Sequence, residues 1–143
     1  MIYTFTIDCV DGLYLADECV RVIEIGERAS LADLHYAIQK AVDFDNDHLY
    51  EFYAGRHPRN RKITFADPTD TEGWDKAFSK VILNQVYPLP EGLKLYYLFD
   101  FGDCWRFQIK KSRKIKAQES GVSYPRVIER QGPNPVQYPT YEE

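Results

Sequence analysis

The sequence predicts an α+β fold, a mixed or antiparallel sheet with one main helix packed on it, and three observations predict it. Aromatic residues make up 15% of the chain and fall in short runs alternating with polar residues, the period of a half-buried strand. One stretch, 31–42, instead repeats its apolar positions at helical spacing. The length, 143 residues with 44% hydrophobic content, suits one domain able to bury a core and leaves no room for two.

The elements follow in order. Tyr3, Phe5 and Ile7 alternate with Thr4 and Thr6, so residues 2–7 read as a strand. Residues 20–25 (Val-Arg-Val-Ile-Glu-Ile) read as a second, after a turn signal at Asp11-Gly12 too far away for a two-residue hairpin. Ser30 can cap a helix start, and Asp33 places a negative charge in its first turn. Leu31, Leu34, Ile38, Ala41 and Val42 then form one apolar stripe, with Asp33, Gln39 and Lys40 off it, and the helix should end near Asp43.

Residues 48–54 read as a third strand, 56–62 as a basic loop and 66–73 as another loop. Trp74, Phe78 and Val81 suit a short helical face, although Val81-Ile82-Leu83 equally suits a strand. The clearest hairpin pairs 93–99 with 105–111 through Asp100-Phe101-Gly102-Asp103, where Gly102 can supply a positive φ. Trp105, Phe107 and Ile109 then face the core, and Arg106, Gln108 and Lys110 face solvent. Residues 1–116 are thus expected to form one β-grasp-like domain. Residues 117–143, with Pro125, Pro133, Pro135 and Pro139, should form an extended tail on it or trailing from it.

The formal charge of -4 argues against a surface that is basic throughout. Ten of the 18 basic residues nevertheless concentrate in 56–62 and 106–116. Cys9, Cys19 and Cys104 cannot all pair and show no ligand spacing, which suits a reducing cytoplasm. No secretory leader and no membrane span are expected.

No complete catalytic set is legible. Asp43-Phe44-Asp45-Asn46-Asp47 imitates the start of a Ca²⁺ loop, but His48 and Ala54 stand where the loop needs Gly and Glu. Asp100-Phe101-Gly102 reproduces a kinase tripeptide without the rest of a kinase. His35, His48 and His57 lie in different elements with no i, i+4 pair, and His35, beside the apolar stripe, reads as a partly buried structural residue. No nucleophile motif or phosphate-cradling loop occurs, and no cofactor or metal is expected.

Two residue sets remain as candidates. His48, Asp100, Asp103 and Trp105 would form a binding cleft if the fold brought them together. Arg56, Arg59, Arg61, Lys110, Lys111, Lys114 and Lys116 would contact nucleic acid if the two basic segments shared a surface. In an alternating strand, however, Trp105 and Phe107 point away from the basic side chains, which favours a charged outer face.

Three stretches carry a family resemblance: 30–38 (Ser-Leu-Ala-Asp-Leu-His-Tyr-Ala-Ile) running on to 47–52 (Asp-His-Leu-Tyr-Glu-Phe), 97–105 (Tyr-Leu-Phe-Asp-Phe-Gly-Asp-Cys-Trp) and 124–129 (Tyr-Pro-Arg-Val-Ile-Glu). In these the chain resembles the plasmid pRiA4b ORF-three-like family, some of whose members are labelled transposon passenger or resolvase-like proteins. The resemblance implies a compact α+β domain and a mobile-element setting, and no reaction. Family members often carry a His two residues after the hairpin Trp, and a Cys/Pro/Glu/Asp-rich segment after the Tyr-Pro-Arg motif. Phe107 and Gln131-Gly132-Pro133-Asn134-Pro135 stand there instead, so a metal or catalytic site built from those groups would be lost here. The expected function is therefore a non-enzymatic module binding a protein partner. The alternatives are a nucleic-acid-associated protein and a degenerate metal-dependent enzyme around His48, Asp100 and Asp103.

Overall fold

A computed structural model describes residues 1–65 and 74–138, with only the backbone of Trp74. The fold is mainly β, a seven-stranded sheet with few helices. Its strands are β1 (Ile2–Asp11), β2 (Val20–Gly26), β3 (Tyr50–Gly55), β4 (Ile63–Thr64), β5 (Lys94–Phe99), β6 (Trp105–Lys111) and β7 (Arg126–Gln131), in the order β4-β3-β5-β6-β1-β2-β7. Every pairing between them is antiparallel. The main helix is α1 (Leu31–Val42), and two short ones follow, α2 (Trp74–Ser79) and α3 (Leu83–Val86).

The start of α1 is as the sequence predicts, because Ser30 and Asp33 close a reciprocal capping box. The Asp33 amide donates to Ser30 Oγ at 3.0 Å and the Ser30 amide to Asp33 Oδ2 at 2.9 Å, which satisfies two otherwise orphaned donors. The helix ends at Asp43, whose φ of 58° lies in the left-handed region. At that end the Ala41 carbonyl accepts from Arg21 Nε at 3.1 Å and from Arg130 Nη1 at 2.7 Å. Two guanidinium groups thus meet the negative end of the helix dipole. Arg21 is buried for this reason although it lies in a strand.

The helical stripe packs on the core face of the sheet against Phe5, Ile7, Ile23, Phe52 and Tyr97, and each such aliphatic side chain contributes about 1.5–3 kcal/mol by leaving water. Asp75 of α2 accepts from the hydroxyls of Tyr36 and Tyr50, both at 2.7 Å, and ties that helix to α1 and β3. The bridge between Ser30 and Ile82 falls between α2 and α3, so the ambiguous 81–83 stretch contains one isolated bridge rather than a strand.

The outer face of the sheet is not simply solvated, contrary to the alternation argument for β6. Arg106 is 9% exposed, and its Nη1 donates to Asp11 Oδ2 at 2.8 Å. Tyr53, Tyr96 and Leu98 form a second small core there. The basic loop after β3 covers part of it: Tyr53 donates its hydroxyl to the Pro58 carbonyl, and the Arg61 guanidinium lies 4.8 Å from the Tyr53 ring centre.

The connection between β5 and β6 spans residues 100–104, since Phe99 pairs with Trp105. Gly102 does not supply its positive φ. Asp100 (61°) and Cys104 (54°) do. Asp100 tolerates this because its Oδ1 accepts from the amides of Gly102 at 3.1 Å and Asp103 at 3.3 Å, a side-chain-stabilised turn.

The stretch beyond residue 117 is not uniformly loose. Arg126–Gln131 pairs along β2 as an edge strand, with Ile128 left unpaired by a register shift opposite Val22 and Ile23. The buried carboxylate of Glu24 holds it in place, accepting from Arg126 Nε at 2.7 Å and Lys116 Nζ at 2.8 Å. The loop expected over 66–73 and the end of the tail, from Pro139, lie outside the described residues.

Candidate functional site

Of the four cleft candidates, the structure brings three together. The α1-to-β3 turn presents His48 and the hairpin loop presents Asp100 and Asp103. His48 Nε2 lies 3.3 Å from Asp100 Oδ2 and 3.7 Å from Asp47 Oδ1. Burial raises the pKa of Asp103, and the neighbouring Asp100 charge raises it further.

Residues of the tail complete the cluster. Tyr138 donates its hydroxyl to Asp47 Oδ2 at 2.6 Å, so its oxygen accepts from His48 Nε2–H, also at 2.6 Å. Gln137, 6% exposed, donates to Asp47 Oδ1 at 2.9 Å and accepts from the Asp45 amide at 2.8 Å. Burial works to raise the Asp47 pKa, but the hydrogen bonds from Tyr138 and Gln137 overcome it and hold the carboxyl below its usual range. The same bond, to an anionic acceptor, pushes the Tyr138 phenol up to about 12. The acidic turn that imitates a Ca²⁺ loop therefore anchors the tail. Among the described residues no group of three or more His, Cys, Asp or Glu is placed to hold a metal ion.

Trp105 is not part of this cluster. It is wholly buried, its ring 5.1 Å from that of Phe44, and a Cβ on Gly12 would come within 2.3 Å of it. Its indole N–H has no hydrogen-bond partner among the described residues. Phe107, two residues further along β6, is likewise core.

The basic candidates separate. Arg59 pairs with Asp11 at 3.6 Å, Arg61 with Glu51 at 2.6 Å, and Lys116 with Glu24 at 2.8 Å. Lys110 and Lys111, adjacent in a strand, point to opposite faces, and Lys111 Nζ sits 4.7 Å from the Tyr3 ring centre. Arg56 and Lys114 lie on exposed loops.

Sequence reasoning missed a second polar constellation, inside the core. Gln39 Nε2 donates to the Tyr97 hydroxyl at 2.9 Å, Tyr97 to His35 Nδ1 at 2.5 Å, His35 Nε2–H to Asn46 Oδ1 at 2.6 Å, and the Asn46 amide back to Gln39 Oε1 at 3.0 Å. Each donor in this closed ring meets an acceptor only if the imidazole is the neutral Nε2–H tautomer. His35 also stacks on Tyr50, with ring centres 3.6 Å apart and planes at 5°. Burial drives its pKa from 6.5 down to about 4. The expectation that Gln39 lies off the buried stripe fails here, since it is 3% exposed. The available signal was the i, i+4 spacing of His35 and Gln39, which puts both on one helix face.

A groove opens between α1 and the edge strand β7. Its volume is about 1000 Å³, its floor includes Ile23, Ile25 and Val127, and its rim includes Tyr36, Lys40 and Arg126. Among the described residues no helix is long and apolar enough to cross a membrane.

Comparison with known proteins bears on the fold and the family. A solved structure, "Crystal Structure of Protein of Unknown Function MM3350 from Methanosarcina mazei Go1", superposes with a TM-score of 0.71 at 24% identity, covering 93% of this chain and 70% of that one. A curated relative, "Uncharacterized protein y4hQ" of Sinorhizobium fredii (strain NBRC 101917 / NGR234), is 32% identical over 103 residues, 71% of this chain and 49% of the relative. The chain thus spans about half the length of that relative. The family model described as "Plasmid pRiA4b ORF-3-like protein" matches residues 7–137. With that match covering nearly all of the sheet and the whole of α1, the chain belongs to the plasmid pRiA4b ORF-3-like protein family.

Proposed function

We propose that the protein is a non-enzymatic binding module that takes an apolar segment of a protein partner into the groove between α1 and β7. The observation that carries this reading is the groove of about 1000 Å³, where an apolar floor of Ile23, Ile25 and Val127 is bordered by Asp33, Lys40, Arg126 and Arg130, the apolar centre and polar rim of a protein interface. The His48 cluster supports the same reading. Its hydrogen bonds join the tail to the α1-to-β3 turn, which is work of holding rather than of bond-making. The nucleic-acid alternative has less support, because Arg59, Arg61 and Lys116 are engaged by carboxylates.

Selection of peptides on the immobilised protein, followed by amide-shift mapping of a selected peptide, tests the reading. Shifts should concentrate at Ala29, Ala37 and Val127, and Ala37→Arg, in a variant whose amide spectrum shows it folded, should weaken binding about tenfold. Selected peptides indifferent to Ala37→Arg would refute the groove. Turnover by the purified protein, abolished by His48→Ala in a folded variant, would refute the non-enzymatic assignment.

A further inference from the structure

We propose that a second cleft, between the 87–93 connection and the end of β6, binds an anionic amphiphile, a molecule with a carboxylate or phosphate head and an apolar body. It shares no lining residue with the groove beside β7 and does not depend on that reading.

Charge comes first. The cleft is lined by Lys94, Lys110, Lys111 and Arg113 and by no Asp or Glu, in a chain where acidic residues outnumber basic ones 22 to 18. Several cations elsewhere meet a carboxylate: Arg59 and Arg106 share Asp11, Lys116 and Arg126 share Glu24, and Arg61 pairs with Glu51. Lys110 feels the charge of Asp8 on the neighbouring strand, while among the described residues Lys94, Lys111 and Arg113 form no ion pair with a carboxylate. Lys111 and Lys110 reach the cleft from opposite faces of β6, and with Lys94 and Arg113 they give its lining a positive potential that favours an anion.

Shape and polarity point to the rest of the ligand. The cleft has a volume of about 560 Å³ and an apolar lining from Leu89, Leu93, Ile109 and Ile115, of which Ile115 is 45% exposed. Lys111 marks the border between the two regions. Its Nζ lies 4.7 Å from the Tyr3 ring centre and 5.9 Å from that of Tyr87, and it donates to the Ser112 carbonyl at 3.2 Å. Held over two aromatic faces, the ammonium stands ready for a head group with little ordering cost. Single-stranded nucleic acid fits this cleft less well. Its bases need open aromatic faces on which to stack, whereas Tyr3 is 6% exposed and lies beneath Lys111.

The test is titration with dodecanoate, with dodecyltrimethylammonium as the charge-reversed control and an oligothymidylate as competitor, read by calorimetry and amide shifts. The expected result is saturable dodecanoate binding with shifts at Leu89, Leu93 and Ile109–Ile115. The cationic amphiphile should bind at least about tenfold more weakly. Arg113→Glu, at an exposed position, should weaken dodecanoate about tenfold with an unchanged thermal midpoint. Equal affinity for the cationic amphiphile, or no saturation, would overturn the proposal. So would displacement of dodecanoate by the oligothymidylate, which would reassign the surface to nucleic acid. Shifts confined to Ala29, Ala37 and Val127 would place the amphiphile in the other groove and also overturn it, while leaving the peptide reading standing.

Discussion

Acidification should destabilise the protein through one buried imidazole. His35 is folded into its ring with Tyr97, Gln39 and Asn46 as a neutral group, and its pKa falls from 6.5 to about 4. Between those values the unfolded chain binds a proton that the folded chain refuses, so stability rises with pH across this window. The contribution is complete above pH 6.5 and is lost as pH falls through about 4. Each pH unit in the window is worth about 1.4 kcal/mol, so the loss approaches about 3 kcal/mol, a large part of a typical net stability of about 5–15 kcal/mol. Protonation at Nδ1 would also force the Tyr97 hydroxyl to turn away from the ring. Urea midpoints from pH 7.5 to 4, with His35→Gln as the non-titrating reference, measure the effect. Above about pH 5, clear of the carboxylates, the wild-type slope should be steep and the variant's nearly flat. Glu24, held below its ordinary range by its bond to Lys116 and then by Arg126, and Asp47 act in a lower window. A His35 ring that titrates near 6.5 by NMR in the folded protein would refute the argument.

Other changes have local outcomes. Gly12→Val should destabilise the protein by about 1–3 kcal/mol, because a Cβ there meets the Trp105 ring at 2.3 Å; an unchanged thermal midpoint would mean that the ring can move aside. Asp100→Ala should cost about 1–3 kcal/mol in denaturant midpoints, losing the Oδ1 acceptor while keeping a left-handed φ. Asp100→Gly should cost less, since only the acceptor is lost, and the reverse order would count against the turn account. Gln137→Ala should speed hydrogen exchange at the Asp45 amide without changing exchange in β5, because that amide's partner is the Gln137 side chain.

Legibility differed between elements. Helix α1 was readable from Ser30 to Asp43 because capping and an amphipathic stripe are local properties. The β6 span was readable because alternation is also local, but its outer face was misjudged. Arg106 is buried by Asp11, which lies 95 residues away, and no short window contains that information. Strand β7 was hidden for the same reason: its residues do not alternate, and they are held by Glu24 and Arg21 of β2. In the candidate cleft, His48, Asp100 and Asp103 were found because each stands beside a turn signal. Tyr138 and Gln137 were not, since only folding brings the tail back over the turn.

The sequence by itself determined the α1 helix, the 105–111 strand, the core identity of its alternating aromatic residues and the family. These follow from periodicity, capping chemistry and motif order, all encoded within a few residues of one another. Tertiary structure alone decided the strand order, the burial of Arg21, Glu24 and Arg106, the His35 ring and the ion pairs of Arg59, Arg61 and Lys116. Those outcomes depend on which distant charge or acceptor arrives beside a side chain, and in a low-dielectric interior that arrival determines whether a polar group can be buried at all.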